Sequence, residues 1–215
     1  MSTLSLQFLL EIVFGTVVFL HITKKNFGAA LAYSIQSLAM TVILVGSFIE
    51  TGSITMLLVV LFSMVVKVIL APIFFIRLIN KHQLMFSVST YLNTSMTLII
   101  IAVLTFLAHS HKFSPLTTIV PTHQALLSLA LSAMFLSLFL VINRKGAMSQ
   151  IVGILSFENS VLAFIVFAKL EQLPALQAGV IFNILVWIVI ATVFVSMLYK
   201  HFGSLDITSI KHLKD

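Results

Sequence analysis

The stretch Met148–Phe167, MSQIVGILSFENSVLAFIVF, decides how this chain folds. At ~1.5 Å rise per residue it makes a helix about as long as a ~30 Å hydrocarbon slab is thick. Glu158 stands about ten residues in from either end, at the middle of that slab. Insertion scales put a charge at a helix centre at roughly 2.5–3.5 kcal/mol, so such a carboxylate tends to face a bundle interior and to belong to an ion or proton path.

The rest of the chain is cut to the same measure. Apolar runs of spanning length are Leu4–Ile22, Phe27–Ile49, Ile54–Ile79, Phe86–Ala108, His123–Ile142, Ser149–Ala168 and Pro174–Tyr199. About seven transmembrane helices follow at ~20 residues per span, and the longer third and seventh runs permit tilt. Of the 215 residues 60% are hydrophobic and 8% charged, and the mean hydropathy is +1.18. These are values of an integral membrane protein without a soluble domain. The expected fold is all-α, a single membrane-embedded helical bundle over 1–215. Four helices fall in 1–110 and three in 123–200, with a linker over 111–122 on the outer side and a tail over 201–215. Pro115 and Pro121 are expected to stop helices in the linker.

Charge alternates from loop to loop. Lys24 and Lys25, Arg77 and Lys81, Arg144 and Lys145, and the tail with Lys200, Lys211 and Lys214 fall on one side; Glu50, Lys112 and the Lys169/Glu171 pair fall on the other. The positive-inside rule then puts the N-terminus outside and the C-terminal tail in the cytoplasm. The N-terminal MSTLSLQFLLEIVF lacks a positive n-region and a small-residue cleavage site, so it reads as the first span and not as a signal peptide. The net charge of +6 is explained by this topology and does not point to nucleic acid. No internal repeat is visible, which removes support for an inverted-repeat transporter.

Cysteine is absent, which excludes disulfide frameworks, thiolate zinc sites, iron–sulfur ligation and cysteine nucleophiles in this chain. No phosphate-cradling glycine loop, H-E-x-x-H, G-x-S-x-G or close carboxylate pair appears either. The chain is expected to hold no cofactor and no catalytic centre, so any redox metal would sit in a partner. All seven histidines, from His21 to His212, fall at helix ends or in loops; His109, His111 and His123 cluster near the linker, where interfacial solvation accounts for them better than a metal does.

Seven polar residues lie well inside apolar runs: Glu11, Gln36, Lys67, Asn93, Glu158, Asn159 and Asn183. Asparagine and glutamine in such places often only hydrogen-bond a neighbouring helix, at roughly 0.6 kcal/mol each, and Gln36, Asn93 and Asn159 carry that reading. Lys67 sits too deep for easy snorkelling, with Pro72 loosening its helix five residues later. It calls for a carboxylate partner, either Glu11 or Glu158, and reads equally as a proton-path residue or as half of a structural ion pair. Burial raises a carboxylate's pKa while a nearby cation lowers it, so a site holding both can exchange a proton near neutral pH. Glu11, nearer the start of its span, is within reach of the interface.

The run Asn143-Arg144-Lys145-Gly146-Ala147-Met148-Ser149-Gln150-Ile151-Val152-Gly153, leading to Phe157-Glu158-Asn159-Ser160, resembles the R…QI-G…EN pattern of hydrogenase-4 component E. The ending Phe202-Gly203-Ser204-Leu205-Asp206-Ile207 looks like that family's G-[ST]-LD, and Lys67-Val68-Ile69-Leu70-Ala71-Pro72 is similar to its K-V-[IL]-L-x-P. In that family the last three helices are similar to NuoK of respiratory complex I and to the C subunit of multisubunit cation/proton antiporters. The resemblance implies a non-catalytic membrane-arm subunit of a group 4 NiFe hydrogenase or complex-I-like assembly, in the cytoplasmic (inner) membrane of a prokaryote. It would lie between antiporter-like and hydrogenase-proximal subunits, and indirectly serve the NiFe large and small subunits.

The resemblance also implies a proton path, with Glu158 as the first of two carboxylates. At the second position the last span offers only Asn183, an amide that cannot carry a proton in this range. Lys67, Gln36 and Glu11 complete the candidate path. Two alternatives stay open: an accessory subunit of a cation/proton antiporter without redox chemistry, and a purely structural spacer.

Overall fold

The computed structural model describes residues 2–82, 90–145 and 147–170. The expected span Pro174–Tyr199, with Asn183, and the tail 201–215 lie outside the described residues. Within them the chain is helical, apart from turns and one isolated bridge between Thr90 and Arg144. The helices are α1 (Thr3–Ile22), α2 (Asn26–Thr51), α3 (Ile54–Phe62), α4 (Ala71–His82), α5 (Thr94–Ala108), the single turn α6 (Ser114–Thr117), α7 (Gln124–Asn143) and α8 (Ala147–Phe167). Five helical stretches are long and apolar enough to cross a membrane, or six if α5 and the segment His111–Thr117, bent by 51°, make one span.

Local chemistry sets the boundaries. Ser2 caps α1 by accepting from the Ser5 N–H at 3.2 Å. Gly52, at φ 62°, ends α2 in the left-handed conformation that only glycine adopts without strain. Lys169 ends α8 in the same conformation at φ 53°, and the Leu170 N–H bonds back to the Ile165 carbonyl at 3.0 Å in a Schellman closure.

Two expectations are corrected here. Asn93 does not lie inside a span. It is the N-cap of α5, its side chain accepting from the Met96 N–H at 2.8 Å, and residues 90–92 turn aside to meet the end of α7. A short amide side chain satisfies the free N–H groups of a helix start better than it packs within an apolar helix, so the helix begins at Thr94 and not at Phe86. The prolines of the linker begin turns instead of stopping them. Pro115 opens α6 and Pro121 opens a 3₁₀ turn, positions where the missing N–H leaves no bond unmade.

The third span is continuous from α3 into α4, but its middle, Ser63–Leu70, is a π-helix; the Ala71 N–H reaches the Val66 carbonyl five residues back. Pro72 follows directly. It has no N–H to donate and its ring crowds the preceding turn, so widening the helix by one residue per turn relieves the clash. Ser63 and Lys67 are the buried residues of this segment.

α2 sits centrally, flanked by α1, by α8 and by the α3–α4 limb, while α7 packs on α8, α1 and α5. One apolar cluster joins α1, α2, α3, α7 and α8 through Val13, Met40, Ile43, Val59, Leu127 and Leu162; a second joins Leu20, Tyr33, Phe75, Leu140 and Val152. Lipid is as apolar as these side chains, so what holds the helices is close packing and internal hydrogen bonding. α7 and α8 approach closely at Gly153, where a Cβ would lie 3.1 Å from Val141 Cγ2 and 3.3 Å from its backbone. Backbone cannot yield as a side-chain tip can. Gly153→Leu is therefore expected to pry α7 from α8 and destabilise by about 1–3 kcal/mol, read as a lowered Tm in detergent. An unchanged Tm would mean that the two helices are not packed at this point.

The two ends of the bundle differ. At one end Arg144, 2% exposed, donates through both terminal guanidinium nitrogens to the Thr23 carbonyl at 3.3 and 3.4 Å, and its own carbonyl accepts from Gln150 Nε2 at 2.9 Å. Burial pulls its pKa down to about 10, which leaves it charged at neutral pH. Beside it Asn143 Oδ1 accepts from the Leu92 N–H at 3.0 Å and Nδ2 donates to Thr97 Oγ1 at 3.2 Å. This end ties together α1, α5, α7 and α8. The opposite end holds a cavity of about 70 Å³ lined among others by Leu6, Ser47, Glu50, His123 and Lys169. The loops therefore segregate as their charges do.

Candidate functional site

Three elements converge at mid-bundle. The π-helical segment delivers Lys67, α8 delivers Glu158 and Asn159, and α2 delivers Gln36 and Ser37. Lys67 Nζ lies 2.9 Å from Glu158 Oε1, with both side chains largely buried at 6% and 10% exposure. The same ammonium donates to Asn159 Oδ1 at 3.2 Å, and Asn159 Nδ2 donates to Ser37 Oγ at 3.1 Å. One turn on, Thr41 Oγ1 donates to the Ser37 carbonyl at 2.8 Å and meets Ser63 Oγ at 3.1 Å. The result is a polar seam from α8 through α2 to the π-helix.

Of the two possible partners for Lys67, the structure brings up Glu158. Glu11 is elsewhere: it lies on the exposed face of α1 and accepts from Gln7 Nε2 at 2.9 Å. Gln36 is fully buried beside Ser37, and neither atom of its amide has a partner among the described residues. The same holds for Ser156 Oγ, one turn before Asn159 on α8, and for the Tyr33 hydroxyl, which approaches Ser37 without completing a bond. Tyr33 and Gln36 thus add buried polar groups within about a turn of Ser37 on α2, and Ser156 adds one within a turn of Glu158 and Asn159 on α8.

Toward the cavity-bearing end the polar seam stops at Thr41 and Ser63. About 9 Å of α2 separates Ser37 from Ile43 at the cavity's edge, and Met40, Ile43, Leu44, Leu162 and Ala163 fill that interval. The pair is thus bordered by polar groups at its own level, toward the Arg144 end and as far as the Thr41–Ser63 contact, and beyond that contact by packed hydrocarbon.

Sequence reading underrated two residues. Asn159, taken as a helix-to-helix glue amide, is a direct partner of Lys67, and Ser37 is its anchor on α2. The signal for Asn159 is its place beside Glu158, since a cation reaching one residue of a helix reaches its neighbour as well. Ser37 gave no signal, because serine in an apolar helix is satisfied by its own backbone. His21 also departs from expectation. It is buried, its Nε2 meets the Leu136 carbonyl at 2.9 Å, and its ring stacks on Phe139 at 5.0 Å. Being at a helix end did not expose it, because α7 extends alongside.

Chemically, the arrangement can share a proton between a carboxylate and an amine, with the Asn159 amide and the Ser37 hydroxyl hydrogen-bonded beside them. Among the described residues no group of three His, Cys, Asp or Glu side chains is placed to hold a metal. His109 Nδ1 meets the Thr105 carbonyl at 2.9 Å and His123 Nδ1 the Phe167 carbonyl at 3.2 Å. Compared with models of protein families, with curated proteins and with solved structures, the chain matches none.

Proposed function

We propose that this chain is a non-catalytic membrane-arm subunit of a group 4 NiFe hydrogenase or complex-I-like complex, and that the Lys67–Glu158 pair is part of a buried proton-translocation path. The observation that carries the reading is the pair itself, 2.9 Å apart at mid-bundle, with Asn159 bonded both to the ammonium and to Ser37. Charges buried at this depth are costly and mark ion or proton routes more often than packing. The sequence resemblance to hydrogenase-4 component E supplies the kind of assembly. In this reading the chain crosses the inner membrane of a prokaryote seven times, with its N-terminus outside and its tail cytoplasmic. Antiporter-like and hydrogenase-proximal subunits flank it, and metal clusters stay in the partners. Glu11 faces away from the path, and Asn183 lies beyond the described residues.

One observation favours a second reading, that of a structural spacer. The Lys67 ammonium is doubly engaged, by Glu158 and Asn159, as in an ion pair kept for packing. Purification of the tagged complex in mild detergent with identification of its subunits tests the assembly. Recovery of a NiFe large subunit supports the hydrogenase reading, and antiporter-like subunits alone would move the protein to ion exchange. Glu158→Gln tests the path: proton uptake by vesicles carrying the assembled complex is expected to fall at least tenfold with subunit content unchanged. Unaltered uptake would refute the path, and loss of assembly would favour the spacer.

A further inference from the structure

The outward face of α1 carries a charge that no other described residue answers with a charge of its own. Leu4, Phe8, Glu11, Gly15 and Phe19 recur at spacings of three and four and form one exposed stripe, with Phe8 61% and Phe19 49% exposed. Only 22% of this span's most apolar window is buried, against 61% for α2, so α1 lies at the margin of the bundle. Apolar residues on such a margin need nothing but lipid. Glu11 needs more: eight residues into the helix and ~12 Å below its start, its carboxylate either reaches back to the interface or meets a polar or charged partner. Its recorded partner is Gln7, one turn away on the same helix, which supplies a hydrogen bond and no charge.

Among the described residues none supplies the missing cation. Lys67 is the cation buried within the described spans and is taken by Glu158. Residues 171–199 contain no lysine, arginine or histidine. A second copy meeting this face would oppose Glu11 to Glu11, and its Lys67 would be buried. Gly15, one turn beyond Glu11, has open space around it and leaves the backbone free for close approach by another helix.

We propose that the Phe8–Glu11–Gly15 face of α1 is the docking surface for a transmembrane helix of a different polypeptide, one that presents a lysine or arginine to Glu11. This holds whether or not Lys67 and Glu158 carry protons, since the face is separate from that pair. The two bulky aromatics flank a shallow gap at Gly15, and Glu11 fixes the register of the incoming helix in the way that charged groups select partners at interfaces.

The test is photo-crosslinking in native membranes containing the whole assembly, with benzoylphenylalanine replacing Phe8 or Phe19. Both positions are expected to link to one and the same membrane segment of another protein, which on peptide sequencing contains a lysine or arginine. Glu11→Ala is expected to lower the yield at least tenfold without changing the Tm of the purified chain, because Glu11 supports nothing inside the bundle. Glu11→Lys combined with exchange of the partner's basic residue for glutamate should restore the yield. The proposal is overturned by adducts with lipid only, with a second copy, with residues 171–215 of the same chain, or with a segment lacking a basic residue. A yield indifferent to Glu11→Ala overturns it as well.

Discussion

Lys67→Met is expected to destabilise the bundle by about 3–5 kcal/mol, the magnitude for removing one member of a buried ion pair and leaving the other charge uncompensated. Glu158 would lose its counter-ion at 2.9 Å, and Asn159 Oδ1 would lose its donor. The informative comparison is the double variant Lys67→Met/Glu158→Met. Removing both charges in favour of similar-sized apolar groups is commonly neutral or even stabilising, so most of the lost stability should return. Proton uptake should not return. Thermal unfolding in detergent with parallel uptake assays on the assembled complex separates the two readings of the pair. Stability and uptake recovering together would mean that the charges serve packing alone. Recovery of stability without uptake would place the pair on the route.

Arg144→Met is expected to cost roughly 1.5–3 kcal/mol, the range for a hydrogen bond to a charged donor, since both guanidinium contacts share the single Thr23 carbonyl. Arg144→Lys should recover little of it, because one ammonium on a flexible stem does not reproduce the planar fork. The effect should be local to one end of the bundle. Hydrogen exchange or limited proteolysis around Thr23–Lys25 and Thr90–Asn93 should rise, while the Lys67–Glu158 region stays protected. Equal loosening at both ends would show that Arg144 supports the whole fold and not a clamp on one side.

The segments quoted from the sequence for their resemblance have structural work that can now be named. Arg144 ties α7 to the end of α1, Gln150 donates to the Arg144 carbonyl, Gly153 admits Val141, and Glu158 and Asn159 meet Lys67. The Lys67–Pro72 run folds as a π-helix closing on a proline, which brings Ser63 and Lys67 inward together. Such local patterns are legible because each depends on a neighbour a few residues away, or on a residue type with a single strong requirement, as glycine and proline have.

Hydropathy, loop charge and the depth of Glu158 and Lys67 were all determined by the sequence, because the bilayer is a solvent whose thickness and polarity act on every segment separately. The helical class and most spans follow from that alone. Partner choice does not. Whether Lys67 meets Glu11 or Glu158, whether Asn159 is glue or a ligand of the ammonium, and whether His21 is wet or buried depend on how α1, α2, α7 and α8 rotate about their axes. That rotation is set by packing between helices distant in sequence, such as Gly153 against Val141 and Arg144 against Thr23. Apolar residues surround these helices on nearly all sides, so periodicity leaves their inner faces undetermined. The close contacts of the folded bundle choose which polar residues turn toward one another, and they turn Glu158 inward to Lys67 and leave Glu11 facing out.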